Sequence, residues 1–204
     1  NNLQIDRQEG IKVEFEEVEM FMYLGVLITN KCQEDKEIEL RIAKSNNCAG
    51  GLRKIMKSTE KSRQAKLRIY KTIVRPTLIC ACETQIMTNK MKQRLEIWER
   101  KILRRIFGGK QTEGGWERRT NEEIYDLYND TVVSNFIKIK RLQWLGHLER
   151  MTQEREVKMV AWKIPEGKRK RGRPRKKWKE AIEEDLAEKQ IQDWRKNAKN
   201  RREL

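Results

Sequence analysis

The run of residues 21–29 constrains the fold of this chain more than any other stretch. Its sequence, FMYLGVLIT, is the most apolar, aromatic and β-branched run in a strongly charged chain, which is typical of a buried strand. Before it, Ile11, Val13 and Phe15 alternate with charged residues, the pattern of a half-exposed strand. With Glu16 and Glu17 as the turn, the two runs predict an antiparallel hairpin. Because a lone hairpin is barely stable, it must pack on helices or join strands absent from this chain.

Downstream of this hairpin the apolar spacing predicts helices and basic loops, and therefore a mainly α fold with one N-terminal β-hairpin. Ser62, Thr88 and Thr120 are candidate N-caps. Pro76 is expected to kink or end the helix that Ser62 begins. The helix after Thr88 has the clearest apolar stripe, which consists of Met91, Leu95, Trp98, Ile102 and Ile106.

The distribution of charge favours a polyanionic partner. The chain carries 47 basic and 31 acidic residues, a net charge of +16, and its pI is about 9.8. Residues 163–180 alone hold ten basic and two acidic side chains, a net charge of +8. An anionic membrane is the competing partner, but no apolar helical face accompanies this block. We therefore expect RNA or DNA as the partner and no membrane contact.

The basic block contains an extended core, Arg171-Gly172-Arg173-Pro174, that resembles an AT-hook. Glycine has no side chain and proline fixes φ, so this backbone is narrow enough for a minor groove, where arginine side chains are attracted by the negative potential. The alternatives are a flexible basic linker that touches phosphates, or a nuclear-import signal. The candidate nucleic-acid-binding residues are Lys168, Arg169, Lys170, Arg171, Gly172, Arg173, Pro174, Arg175, Lys176 and Lys177.

A series of motifs resembles the C-terminal part of LINE-type (non-LTR) retrotransposon reverse transcriptases. The motifs are Tyr23-Leu24-Gly25, KLRIY at residues 66–70, VRPTL at 74–78, CET at 82–84, RLQWLGHLERM at 141–151 and GRP at 172–174, followed by Trp178, Asp185-Leu186 and Trp194. Their order spans nearly the whole chain. The chain departs from the family around Cys82, where Cys80-Ala81 and Gln85 replace expected aromatic positions.

The resemblance implies the end of a palm, a helical thumb-like bundle and a basic helical tail. We expect residues 1–32 to end the palm, 33–110 to form the thumb-like region, 111–165 to connect, and 166–204 to form the basic segment and last helices. Tyr23, Leu24 and Gly25 would then resemble a primer grip. Their alternative is a structural strand in which Gly25 allows close approach.

The sequence lacks the residues that polymerase chemistry requires. Two-metal phosphoryl transfer needs paired carboxylates, the family's motif is Asp-Asp, and no Asp-Asp pair occurs in the chain. We therefore assign no catalytic residue, metal ligand or cofactor here, and the divalent metal is implied only for the intact polymerase. The cysteine spacing does not fit a zinc site, and the single histidine, His147, is expected to be structural or exposed.

These observations predict a nucleic-acid-binding C-terminal piece of an RNA-directed DNA polymerase that is inactive alone and works with a missing palm and fingers. The absence of an initiating methionine agrees with a piece of a longer protein. We expect an intracellular location, nuclear or cytoplasmic, because no signal peptide or long apolar run is present. The alternatives are a domesticated or truncated, non-catalytic DNA- or RNA-binding protein that acts through the AT-hook-like segment, and an inert remnant.

Overall fold

The computed structural model describes residues 3–6, 12–31, 34–163 and 176–199. The strands in these ranges are β1 (Leu3–Asp6), β2 (Lys12–Phe15), β3 (Met20–Tyr23), β4 (Val26–Thr29), β5 (Lys110–Thr112) and β6 (Gly115–Glu117). The helices are α1 (Glu34–Gly51), α2 (Arg53–Lys57), α3 (Arg63–Ile69), α4 (Arg75–Ile79), α5 (Asn89–Phe107), α6 (Asn121–Tyr128), α7 (Val133–Arg150), α8 (Glu156–Trp162), α9 (Trp178–Glu188) and α10 (Trp194–Lys199). The predicted mainly α fold is confirmed.

The six strands form three antiparallel hairpins, β1–β2, β3–β4 and β5–β6. The predicted pairing of residues 11–15 with 21–29 is wrong, because β2 pairs with β1 and β3 pairs with β4. The apolar run folds back on itself between Tyr23 and Val26, where Leu24 and Gly25 have φ values of 46° and 81°. Two successive positive φ values define the tight turn that suits a two-residue hairpin loop. The β5–β6 hairpin lies downstream of residue 29, where only helices and basic loops were predicted.

The burial predicted for residues 21–29 is also wrong. Phe21, Tyr23 and Leu24 are 56%, 57% and 82% exposed, and only Thr29 at the end of β4 is buried. The hairpin packs on α1 through β4 and through the Gly25 carbonyl in the turn, whereas the side chains of β3 and of Leu24 remain exposed. An apolar composition predicted burial, but the surface that would cover this hairpin is absent from the described residues.

Helix α5 is the centre of the main core, as its stripe predicted. The Thr88 hydroxyl accepts a hydrogen bond from the Met91 N–H at 3.3 Å and caps the first turn, and Gly108, with φ of 73°, follows the last. All five stripe residues are buried; Trp98 is only 3% exposed. Their neighbours in this core come from α1 to α4, α6 and the first half of α7.

The caps of two further helices are confirmed, whereas the break at Pro76 is not. Ser62 accepts a hydrogen bond from the Ala65 N–H at 3.1 Å, and Thr120 and Glu123 form a reciprocal capping box. Between α3 and α4 the chain makes a π-helical turn (Tyr70–Val74), so that it stays helical past Pro76. Because proline stands in the first turn of α4, its missing N–H removes little from the helix.

The second half of α7 belongs to another apolar cluster. Leu142 and Leu145 pack there with Ile182 and Leu186 of α9. Trp162, Trp178, Ile191 and Trp194 lie around this cluster and are half-buried. Helix α7 therefore joins the α5 core to the helices on either side of the basic segment.

Candidate nucleic-acid interface

The basic segment, residues 168–177, lies mostly outside the described part of the chain. Lys168, Arg169, Lys170, Arg171, Gly172, Arg173, Pro174 and Arg175 all fall there, and Lys176 and Lys177 are the described members. Lys177 is the N-cap of α9, and its N–H donates to Glu180 Oε2 at 3.0 Å. Lys176 forms an ion pair with Glu184 of the same helix.

The two flanks of the basic segment meet at one apolar cluster. Trp162 at the end of α8 and Trp178 at the start of α9 both pack against Leu142, Leu145, Ile182 and Leu186. Trp178 Nε1 also donates to the Glu83 carbonyl at 2.9 Å, which joins α9 to a single 3-10 turn (Cys82–Thr84). The described residues on the two sides of the basic segment therefore pack against the same cluster.

Ion pairs hold α9 against α7. Arg141 Nη1 donates to Asp185 Oδ2 at 2.8 Å, with both side chains almost fully buried, and Lys138 pairs with Glu188. Burial raises the pKa of Asp185, and the Arg141 guanidinium offsets only part of that rise. Removing either member of this pair would leave an unpaired charge in an apolar setting. The sequence indicated no such pair, because its members are 44 positions apart.

Two concave surfaces carry several basic side chains. A pocket of about 190 Å³ at the start of α5 is lined by Lys92, Lys138, Arg141 and Lys176, together with three carboxylates of α9. A larger groove beside α3 and α6 is lined by Arg63, Arg68 and Lys71. Lys71 is paired with Asp130 at 2.5 Å. Most of these charges are balanced within the fold, by Glu188, Asp185, Glu184 and Asp130.

The primer-grip-like residues lie at the tip of β3–β4. The Gly25 carbonyl accepts hydrogen bonds from Arg41 Nη2 at 3.0 Å and Lys44 Nζ at 3.2 Å. Glu37 accepts from Arg41 Nε at 2.6 Å and from the Leu27 N–H at 2.7 Å. The i,i+4 spacing of Glu37 and Arg41 predicts an ion pair on α1, but the sequence did not indicate its burial or its attachment to the hairpin.

This arrangement fixes the turn and leaves the side chains of Tyr23 and Leu24 in the open. Met20, Met22 and Ile28 are also about half exposed, so both faces of the ribbon present apolar surface. Surface of this kind, concentrated on a short ribbon, is typical of a contact with another protein segment or ligand. The three candidate residues are therefore brought together, at a turn rather than inside a strand.

The described residues contain no cluster of three or more His, Cys, Asp or Glu side chains that could hold a metal ion. His147 is exposed and lies 5.3 Å from the Trp144 ring, between ring centroids. The prediction that His147 is structural or exposed is confirmed.

None of the helices in the described ranges is long and apolar enough to cross a membrane. Over 196 residues the chain is 23% identical to an uncharacterized transposon-derived protein of Caenorhabditis elegans, and the alignment covers 93% of this chain and 70% of that protein. No family model matches the chain. No solved structure matches it. The similarity supports a transposon origin for this chain.

Proposed function

We propose that this chain is the nucleic-acid-binding C-terminal part of a LINE-type reverse transcriptase and that it lacks the catalytic carboxylates of the polymerase. The supporting facts are the order of family motifs, the relation to a transposon-derived protein, and the mainly α fold. The division into palm end (1–32), thumb-like region (33–110), connection (111–165) and basic tail (166–204) is part of the proposal. So is an intracellular, nuclear or cytoplasmic, location.

One observation carries the proposal: the net charge of +8 within residues 163–180. Among the described carboxylates of α9, Glu180 accepts from the Lys177 N–H, Glu184 pairs with Lys176 and Glu183 pairs with Lys179. Basic side chains outnumber acidic ones by ten to two within residues 163–180, and the described residues on both sides of the segment pack on the same apolar cluster. A polyanion with regularly spaced charges, such as a nucleic-acid backbone, is the partner that this excess of positive charge favours.

The β3–β4 hairpin supports a second partner, the palm and fingers of the parent protein. Its apolar side chains on β3 are about half exposed, while Glu37 and Arg41 hold its turn against α1. A palm placed against this ribbon would cover the apolar surface and would bring the divalent metal with its own carboxylates. The thumb-like helices would then lie beside the primer–template duplex.

Salt dependence of binding tests the basic segment. We expect the affinity of the intact chain for duplex DNA to fall with salt at a slope near −0.9 per neutralised phosphate in a log–log plot. Replacing Lys168, Lys170 and Lys176 by Ala should flatten that slope by about two to three. The control replaces three exposed lysines elsewhere, Lys36, Lys54 and Lys57, and should leave the slope unchanged. Equal slopes for both triple variants would contradict the proposal.

A second candidate function is a non-catalytic binder that acts through the AT-hook-like segment, and the Gly172-Arg173-Pro174 core favours it. Arg173→Ala should then reduce the preference for A·T-rich over G·C-rich duplex, by about 1–3 kcal/mol.

A primer-extension assay separates the candidates: the chain alone should incorporate no nucleotide, and activity should appear only when an upstream palm with paired aspartates is supplied. An inert remnant would show neither activity nor salt-dependent binding.

A further inference from the structure

The β5–β6 hairpin carries an indole that nothing in the described chain covers. Trp116 is 76% exposed, and of the large apolar side chains described only Leu24 exposes a greater fraction. It lies opposite Gln111 in the ladder. The Gly109 backbone lies beside the ring, since a Cβ at Gly109 would stand 3.4 Å from Trp116 Cε3. The hairpin therefore supports the ring from one side and presents the rest of it to solvent.

Beside this hairpin, positive charges lie close together. The Arg104 guanidinium is near those of Arg100 and Arg118, and its pKa is lowered by partial burial and by these two like charges. Arg104 Nη2 donates to Asn121 Oδ1 at 2.6 Å, but Arg104 Nε is buried and has no hydrogen-bond partner within the described ranges. Arg119 Nε is also buried and has no hydrogen-bond partner within the described ranges. Like charges held this close favour an anion between them.

The carboxylates in this region are already engaged. Glu123 accepts from Lys110 Nζ and from the Thr120 N–H, both at 2.7 Å, and Glu117 is 3.9 Å from Lys110. Among the described residues, Arg104, Arg118 and Arg119 form no ion pair with a carboxylate. Arg118 and Arg119 directly follow β6, the strand that carries Trp116, and Arg104 lies near Arg118. Three guanidinium groups and an exposed indole therefore belong to one region, in which Glu117 and Glu123 are engaged by Lys110.

We propose that Trp116, Arg104, Arg118 and Arg119 form a contact site for single-stranded nucleic acid, in which a base stacks on the indole and adjacent phosphates pair with the guanidinium groups. Aromatic side chains with basic neighbours bind single strands in this way without sequence preference. A duplex offers less to this site, because its bases are already stacked on each other. The inference rests on the proposed nucleic-acid binding and adds a contact separate from residues 168–177.

Fluorescence anisotropy of a labelled oligothymidylate of about 15 nucleotides tests the stacking part. The intact chain with Trp116→Ala should bind about 5- to 150-fold more weakly than wild type, whereas Trp116→Phe should retain most of the affinity. The salt slope should stay unchanged in both variants, because no charge is removed. Since Trp116 is exposed, thermal unfolding should confirm that the Ala variant folds normally. Equal affinities of wild type and Trp116→Ala would overturn the proposal.

The arginine part has a different signature. Replacing Arg118 and Arg119 by Gln should flatten the salt slope on the single strand by about 1.4, which is about 0.7 for each lost phosphate contact. Arg53→Gln, which removes an exposed charge from α2, is the matched control and should leave the slope unchanged. A double variant with the slope of wild type would contradict phosphate pairing at this site.

Two comparisons separate this inference from the proposed function. Trp116→Ala is measured in the wild-type chain and in the triple variant in which Lys168, Lys170 and Lys176 are replaced by Ala. If it lowers the affinity for the single strand in both, and leaves the affinity for a duplex of the same length unchanged, the stacking site is supported as an independent contact. If only the lysine variant loses affinity, this inference fails and the proposed function stands. If the chain binds no oligonucleotide, both fail. If Trp116→Ala lost affinity for polyaspartate but not for oligothymidylate, the site would be assigned to an acidic protein and the inference would be overturned.

Discussion

Helix α5 and the β3–β4 hairpin are both rich in apolar side chains, yet they have opposite environments. Leu95 and Trp98 on α5 are 1% and 3% exposed, while Phe21 and Tyr23 on β3 are more than half exposed. On α5 the apolar residues recur on one face, and helices on several sides cover that face. On the hairpin both faces are apolar, and α1 contacts it through β4 and the Gly25 carbonyl, which leaves the side chains of β3 exposed. Burial therefore follows from the available partners rather than from composition.

The two regions also differ in how they use charge. Glu99 of α5 is fully buried, where it accepts hydrogen bonds from the Tyr70 hydroxyl at 2.7 Å and from the Val133 N–H at 2.9 Å. This carboxylate lies inside the core and accepts a hydrogen bond from an N–H in the first turn of α7, which has no partner within its own helix. Glu37 and Arg41 lie instead at the boundary between α1 and the hairpin. Polar contacts thus join helices within the core, and they attach the hairpin to its surface.

The largest effect is expected from truncating the core indole. Trp98→Ala should reduce the free energy of unfolding by about 3–5 kcal/mol, because it leaves a cavity and removes the Nε1 hydrogen bond to Asn46 Oδ1. Trp116→Ala is the matched control at an exposed position and should change stability by no more than about 0.5 kcal/mol. Chemical denaturation of both variants would measure the contrast. Similar losses at the two tryptophans would break the comparison.

A smaller effect is expected at the buried carboxylate. Glu99→Gln turns one acceptor into a donor that faces Tyr70 or Val133, and an unsatisfied buried group of this kind costs about 1–3 kcal/mol. Burial raises the pKa of Glu99 above its ordinary value of 4.5. The folded protein therefore holds the proton of the Glu99 carboxyl more tightly than the unfolded chain does. The contribution of Glu99 to stability falls as pH rises from 4.5 through the raised pKa of the folded state.

The pH dependence of this variant checks the sign. The stability of wild type minus that of Glu99→Gln should decrease as pH rises above the ordinary pKa of 4.5, as followed by urea unfolding. A difference that increased with pH would indicate a lowered pKa and would contradict the dominant effect of burial.

The attachment of the hairpin should be weaker than the core. Arg41→Met removes one of the two donors to the Gly25 carbonyl and leaves Glu37 without its ion-pair partner. Because the hairpin can move away and let water reach Glu37, we expect a loss of only about 1–2 kcal/mol. Amide hydrogen exchange of α5 should report an unchanged core, whereas proteolysis near residues 16–31 should accelerate. A loss as large as that of Trp98→Ala would show that hairpin and core unfold together.

The smallest effect is a gain. Leu24 has φ of 46° and is 82% exposed, so its side chain contributes little packing and its backbone is strained. Leu24→Asn creates Asn-Gly, the preferred pair for this turn, and should stabilise the hairpin by about 0.5–1 kcal/mol. Hydrogen exchange at Tyr23 and Val26 would measure it. Unchanged exchange would mean that the turn does not limit the opening of the hairpin.

The difference between these regions also explains what the sequence could predict. Thr88 and the stripe from Met91 to Ile106 were predictable because the cap and the buried face belong to one helix and can be read from its local sequence. The turn at Leu24 was missed because leucine is a poor turn residue and the run around it is continuously apolar. The strands β5 and β6 have three residues each, with Lys110 and Glu117 among them, and give no strand pattern.

Long-range polar contacts could not be predicted, because nothing local indicates their partners. Tyr70 reaches Glu99 across 29 positions and Arg141 reaches Asp185 across 44. The basic segment, in contrast, was evident from composition alone, and its role as a contact site remains a prediction. The exposed Trp116 was not singled out because one aromatic residue in a polar stretch carries no periodicity.

Amide hydrogen exchange of the intact chain, followed by mass spectrometry, tests the central contrast most directly. Peptides from α5, residues 89–107, should exchange only through global unfolding, with a free energy equal to that from denaturation. Peptides covering residues 20–29 should exchange at least about 100-fold faster, through local detachment of the hairpin from α1. Equal protection of the two regions would contradict the claim that other helices cover the apolar face of α5, whereas no described residue covers the apolar faces of the hairpin.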